Sequence, residues 1–494
     1  MNEDKIRKSK EIIPKLNDNL KQNIIEEYDL KTTKKQRKTA GFKLIRILAP
    51  ILSSVLILFV VSLSIIASVS IKDSGTGMTE DHSSTPASTF EKVISGYDIK
   101  DGGLSLFDYI SESTSSRSDD DYIGDKDSSN STIYTPSQLT SSCVDDNIEY
   151  DYFKSLLTYT SDQKEGKFKI FYDEFSFKTL NRIKITVPND TQVKISLLKN
   201  NNPTFTGVSN KNGVCYIFSE TNETEYNIRL EYKTVLGETK TLLDTITGDK
   251  DYTDIINESN NEKFSDLIEL MVVIDTTGSM GDEIKYLQTE LLDVIDRIKK
   301  DNPNTRFKLS VIAYKDKGDE YITKTFNFSE NLNDANTFLS KLSASGGGDF
   351  EEAVEIALDE ATKSNWSSES STKILLFVAD APSHDKDVDD WNRSALKLSE
   401  KGVRIITVAS SGIDTKTEYF FRSQSILTGG IYGFLTDDSG IGGSHLIAST
   451  EEPKTVEYLN DMLVRLINGY HTGIFTEAVP YRTNDNIDSN GTAQ

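Results

Sequence analysis

Cysteine is nearly missing: the 494 residues contain two, Cys143 and Cys215. Two thiols cannot build a disulfide framework, though an extracytoplasmic chain could join them. Cys215 lies between Val214 and Tyr216 in an apolar run, where a buried free thiol is the simpler reading. Histidine is also scarce, with four, and none has the His-Glu-x-x-His spacing of a zinc hydrolase. Positive charge is in deficit. A net charge of −23 argues against a nucleic-acid partner, because such proteins need basic stripes to displace counterions. Neither Gly-x-x-x-x-Gly-Lys-Ser/Thr nor Gly-x-Gly-x-x-Gly follows a strand, which removes the common nucleotide folds.

One stretch lacks charge altogether. Residues 47–71, "ILAPILSSVLILFVVSLSIIASVSI", are 25 uncharged residues, and a helix of about 20 crosses the hydrocarbon core. Lys34, Lys35, Arg37, Lys38, Lys43 and Arg46 precede it, and Asp73, Glu80 and Asp81 follow. Residues 1–46 carry net +6, leaving −29 for the rest. This asymmetry predicts a single-pass protein of the cell membrane, with residues 1–46 as a basic cytoplasmic segment and the bulk of the chain extracellular. A cleaved signal would need an n-region and an apolar core well beyond the usual sizes. Ile12, Leu16, Leu20 and Ile24 fall on one helix face, as in a juxtamembrane helix or a small docking helix.

Beyond the membrane segment, residues 72–144 read as a Ser/Asp-rich stalk of low order. Between Ser111 and Cys143, 11 of 33 residues are serine, too little apolar surface to offset the entropy of ordering. Residues 145–250 read as a small β-sandwich spacer. "RIKITVPNDTQVKISLLKNN" alternates apolar and polar residues, and Asn212-Gly213 is the preferred pair for a tight hairpin. The order of its elements loosely resembles carboxypeptidase-regulatory-like or bacterial Ig-like surface modules. Residues 473–494 read as a disordered tail.

Residues 260–472 alternate apolar strands with helical patterns, which predicts a doubly wound α/β domain around a mostly parallel sheet. Ligands of such sheets sit at the carboxyl ends of the strands. There the chain places Asp275, with Thr277 and Ser279 at two-residue spacing, then Asp316 in "YKDKGDE", Asp349 in "SGGGDF" and Asp380 in "KILLFVAD". Carboxylates and hydroxyls converging without enough basic partners suit a hard divalent cation.

Asp275-x-Thr277-x-Ser279 resembles the Asp-x-Ser-x-Ser motif of von Willebrand factor type A domains, and Asp380 matches their second acidic element. "AYKDKGDE", "GGGDFEEAV" and "FLTDDSGIGGSH" extend the resemblance to a bacterial surface branch of that family. It implies Mg²⁺ or Mn²⁺, with Ca²⁺ a further option, in a metal-ion-dependent adhesion site. Its ligands would be Asp275, Thr277, Ser279, Asp349 and Asp380, and Asp316 and His384 would stand behind or at the rim. Asp349 departs from the family, which supplies a threonine from that loop. The resemblance implies a non-enzymatic adhesion protein whose metal takes an acidic group of an unknown protein or glycan partner; a transmembrane sensor with a docking tail is the alternative. Phosphotransferase chemistry of the Asp-x-Asp-x-Thr kind lacks its general acid, because Thr277 occupies that position.

Overall fold

The computed structural model describes residues 135–159, 164–256 and 260–481. The segments 1–46 and 47–71, most of 72–144 and residues 482–494 lie outside the described residues. Among the described residues, no helix is long and apolar enough to cross a membrane.

Strand β1 (Thr140–Val144) comes first, followed by helices α1 (Tyr150–Leu157) and α2 (Lys169–Glu174). Next come β2 (Asn181–Thr186), β3 (Val193–Lys199), β4 (Asn202–Val208), β5 (Val214–Ser219), β6 (Tyr226–Lys233), β7 (Thr239–Ile246) and the short β8 (Lys250–Asp251). These make two small sheets, ordered β5-β2-β8 and β4-β3-β6-β7. Alternation decides their facing: Ile183 and Ile185 of β2 are buried, while Arg182 and Lys184 are only half-buried. At the turn before β5, Gly213 adopts φ +70°, and a Cβ there would lie 2.0 Å from the Val187 carbonyl oxygen. Glycine is required at that position.

The remaining elements are β9 (Leu267–Asp275), α3 (Ile284–Asp301), β10 (Arg306–Tyr314), β11 (Thr323–Ser329), α4 (Leu332–Leu339), α5 (Val354–Lys363), β12 (Thr372–Ala379), α6 (Val388–Glu400), β13 (Val403–Ala409), α7 (Thr415–Thr428), β14 (Tyr432–Leu435), β15 (Glu457–Tyr458) and α8 (Leu459–Thr472). Their strands join β1 in one sheet, ordered β11-β10-β9-β12-β13-β14-β1-β15. The five from β10 to β14 run parallel, and the pairings outside them are antiparallel. Every residue of β9, β12 and β13 is buried, as expected of strands covered on both faces. Alternate residues divide between two cores. Met271 and Val273 face Leu358, Trp391 and Phe420, whereas Leu270, Val272 and Ile274 face Leu291, Ile295 and Leu463. This is the α/β architecture with a mostly parallel sheet that the alternation predicts.

Two boundaries differ from the sequence reading. Residues 140–144, placed in the stalk for their serines, form a strand between β14 and β15. Polarity is no obstacle there because the hydroxyls find partners: Ser142 Oγ donates to the Thr455 carbonyl at 2.9 Å. Just upstream, the Glu290 carboxylate of α3 accepts the amides of Ser137, Gln138 and Leu139 at 3.1, 2.9 and 3.3 Å. The second difference lies between β1 and β2. This stretch, expected within the sandwich, carries α1 and α2, and its aromatics pack on the α/β domain, with Phe168 5.9 Å from Tyr419 and Phe177 5.8 Å from Trp391 between ring centres. Since β1 precedes the small sheets and belongs to the large one, the β module is an insertion in the α/β domain, joined to it at both ends. Ile183, Ile185, Val193 and Ile195 share one continuous core with Phe377 and Trp391.

Candidate metal centre

Asp275 ends β9 in full burial, and the chain then turns through Thr276 and Thr277 into a short turn of helix at Gly278–Asp282. The Asp275 Oδ1 atom accepts the Thr277 amide at 2.8 Å and the Thr277 hydroxyl at 2.7 Å. The Thr277 and Ser279 hydroxyls are 3.2 Å apart. Two-residue spacing along this turn thus gathers the acid and both hydroxyls. Asp380, directly after the neighbouring strand β12, is also buried, and the Ser279 hydroxyl lies against its carboxylate.

Burial pushes the Asp275 carboxyl up from the ordinary aspartate range, and the charge of Asp380 pushes it further. Burial also raises Asp380, Glu283 adds repulsion, and Ser279 acts in the opposite direction. Tyr314, in register with Asp275 on β10, is buried beside it, and its hydroxyl acts to lower the Asp275 carboxyl.

The glycine loop closes over this turn. Gly278 N–H donates to the Gly346 carbonyl at 3.0 Å, and Ser345 N–H to the Thr276 carbonyl at 3.1 Å. A Cβ on Gly278 would meet Gly346 oxygen at 2.8 Å, so the close approach depends on glycine. Lys315 is the nearby cation, but its buried ammonium donates to the carbonyls of Thr276 and Ser345. It holds the loop rather than pairing directly with an acid of the centre.

The loop's contribution differs from the expectation. Asp349 is largely exposed, and its Oδ2 lies 3.8 Å from His384 Nε2, while His384 Nδ1 lies 3.9 Å from Asp316 Oδ1. The acid that the loop brings toward Asp275 and Asp380 is Glu352, three residues further on. Glu352 is 2% exposed, and its amide donates to the Pro382 carbonyl, two residues past Asp380, at 2.9 Å. Burial drives its carboxyl up to about 9, with Asp275, Asp316, Asp380 and Asp319 adding repulsion. The sequence contained "GGGDFEEAV", but an acid at a helix entry is an ordinary feature, so nothing local marked Glu352 out.

A second group reaches Asp380 through Glu283. His445 bridges Glu283 at 3.0 Å and Asp437 at 2.8 Å, and Glu283 also accepts the Ser411 amide at 3.1 Å. Burial would lower the imidazole, yet its hydrogen bonds to the two acids prevail and raise it. After β12, Asp387 and Asp385 pair with Lys317 and Lys416.

At this centre three buried acid oxygens, Asp275 Oδ2, Asp380 Oδ1 and Glu352 Oε2, have no hydrogen-bond partner. An unpartnered buried carboxylate is costly, and three in mutual repulsion are costlier. A hard cation with oxygen ligands resolves both problems, and the Thr277 and Ser279 hydroxyls supply further donors of the right kind. The residues present fit such an ion.

Residues 269–433 match the family model of the von Willebrand factor A domain, so this stretch of the chain is a domain of that type. Such domains commonly bind a divalent metal. Curated proteins similar to this chain include an ariadne-like RING finger protein of Acanthamoeba polyphaga mimivirus, 27% identical over 186 residues, which cover 33% of this chain and 18% of that protein. Alpha-protein kinase vwkA of Dictyostelium discoideum is 24% identical over 192 residues, covering 37% and 31% respectively. The match thus spans less than a third of either relative's length. Among solved structures, the mussel byssus proximal thread matrix protein 1, with a zinc-occupied adhesion-site motif, aligns at 17% identity over 33% of this chain and 38% of its own, TM-score 0.25. The pilus adhesin SpaC of Lactobacillus rhamnosus GG aligns at 12% identity over 56% and 34%, TM-score 0.30.

Proposed function

We propose that the von Willebrand factor A domain holds a divalent cation, Mg²⁺ or Mn²⁺, on Asp275, Thr277, Ser279 and Asp380, with Glu352 alongside, and captures a protein or glycan partner through it. The observation that carries this reading is the set of three buried, unpartnered acid oxygens, two at adjacent strand ends and one from the loop ahead of α5. Glu352 makes the centre more anionic, which strengthens cation binding and weakens the ion's pull on an acidic partner group. In this reading the chain is a non-enzymatic binding protein of the cell membrane. It is anchored through 47–71, its N-terminus is cytoplasmic and its head faces outward; the uncharged run and its basic flank support that placement. The apolar face at Ile12, Leu16, Leu20 and Ile24 supports a second reading, in which the tail docks a cytoplasmic factor and the head is a sensor.

Calorimetric titration of Mg²⁺ into the chelator-stripped chain, beside its Asp275→Ala variant, tests the centre. Saturable binding lost in a folded variant is the expected result. Equal binding by both forms, or none at millimolar Mg²⁺, would remove the metal-dependent reading.

A further inference from the structure

We propose that Asp316, Asp349 and His384 form a second cation site, beside the first, that takes a borderline transition metal such as Zn²⁺ or Co²⁺. One ligand atom from each of the three lies within 4.8 Å of the others. They come from three separate loops: after β10, ahead of α5, and after β12. Asp316 Oδ1 lies 3.9 Å from His384 Nδ1, and Asp349 Oδ2 lies 3.8 Å from the other ring nitrogen, Nε2; each separation is too long for a hydrogen bond. Donors about 2.0–2.2 Å from a shared ion stand roughly that far apart.

Two of the facing atoms, Asp316 Oδ1 and His384 Nδ1, are shut off from solvent and have no hydrogen-bond partner. They confront each other across a gap that neither fills. Glu352, almost wholly enclosed and with its Oε2 unpartnered, lies close enough for its carboxyl and that of Asp316 to repel each other when ionised. Lys317, the neighbouring cation, is occupied by Glu355 at 2.6 Å and by Asp387. The donor set therefore carries uncompensated charge and an imidazole. Imidazole with carboxylates suits Zn²⁺ or Co²⁺ better than Mg²⁺, which prefers oxygen alone. Only one imidazole nitrogen can serve a given ion, so at most three protein donors are available and further positions stay open to water or a ligand. Asp349, at 59% side-chain exposure, puts that open side at the surface.

The test is Co²⁺ uptake by the chelator-stripped full chain, counted by equilibrium dialysis and followed by visible absorption. Two equivalents are expected for the unaltered chain, falling to one in His384→Ala and to one in Asp275→Asn. The absorption bands of nitrogen ligation should disappear only in His384→Ala, and a circular dichroism spectrum matching that of the unaltered chain would show that this variant folds. A single equivalent lost in His384→Ala and kept in Asp275→Asn would uphold this site and sink the first. Uptake unchanged in His384→Ala, or a single equivalent lost only in Asp275→Asn, would overturn the proposal.

Discussion

Glu352 carries its charge where charge is least welcome, and its titration should be visible in stability. Its folded carboxyl lies at about 9 against an ordinary 4.5. Between those values the folded chain holds a proton that the unfolded chain has released. Stability in chelator should therefore decline as pH rises through that window, because the native state must either keep the proton or bear a buried charge. Melting temperatures from pH 5 to 9 in chelator should show that slope, and Glu352→Gln should flatten it. Mg²⁺ should restore most at the alkaline end, where no proton competes for the oxygens. An equal slope in Glu352→Gln would mean that other acids set the pH response.

At the level of elements, the sequence revealed the repeating parts and hid the irregular ones. Strands β9, β12 and β13 are buried throughout, so their apolar runs were unambiguous. Asp275, Thr277 and Ser279 were equally legible because two-residue spacing along one turn is a local property. Strand β1 was not. Serine content measures the average tendency to disorder, and it misses a segment whose hydroxyls each find a backbone carbonyl. "YDYFKSLL" was read as part of a β module, although Phe153, Leu156 and Leu157 bury one helical face. The path of the glycine loop was hidden for another reason: glycines permit many routes, so only the folded chain shows Asp349 turned toward His384 and Glu352 turned inward. The Glu290 clamp on the approach to β1 gives a measurable consequence. Glu290→Ala would leave the amides of Ser137, Gln138 and Leu139 without their acceptor and should cost about 1–3 kcal/mol in urea unfolding. A change within a few tenths of a kcal/mol would mean that water replaces the carboxylate.

For the whole molecule, one buried ion cluster ties the entering segment to the α/β domain. Arg422 of α7, fully buried, binds Asp146 through its Nε at 2.9 Å and Glu418 at 3.0 Å. Removing one member of such a cluster strands the others, at about 3–5 kcal/mol. Arg422→Met should accordingly lower the urea midpoint of the entire domain, because Asp146 follows β1 while Glu418 lies on a central helix. A midpoint equal to that of the unaltered chain would show that the cluster contributes little to holding the two together.

The insertion of the β module has a mechanical consequence. A spacer strung between stalk and head would lie in series with any pull and would stretch first. Here tension entering at residue 135 reaches the large sheet through β1 before the chain ever visits the β module. With a load between residue 135 and a partner held at the strand ends, the small sheets lie outside the line of force. Tethered at residue 135 and at the strand-end face, the chain should first give way by peeling β1 from β14, and the β module should remain folded as a passenger until that seam has opened.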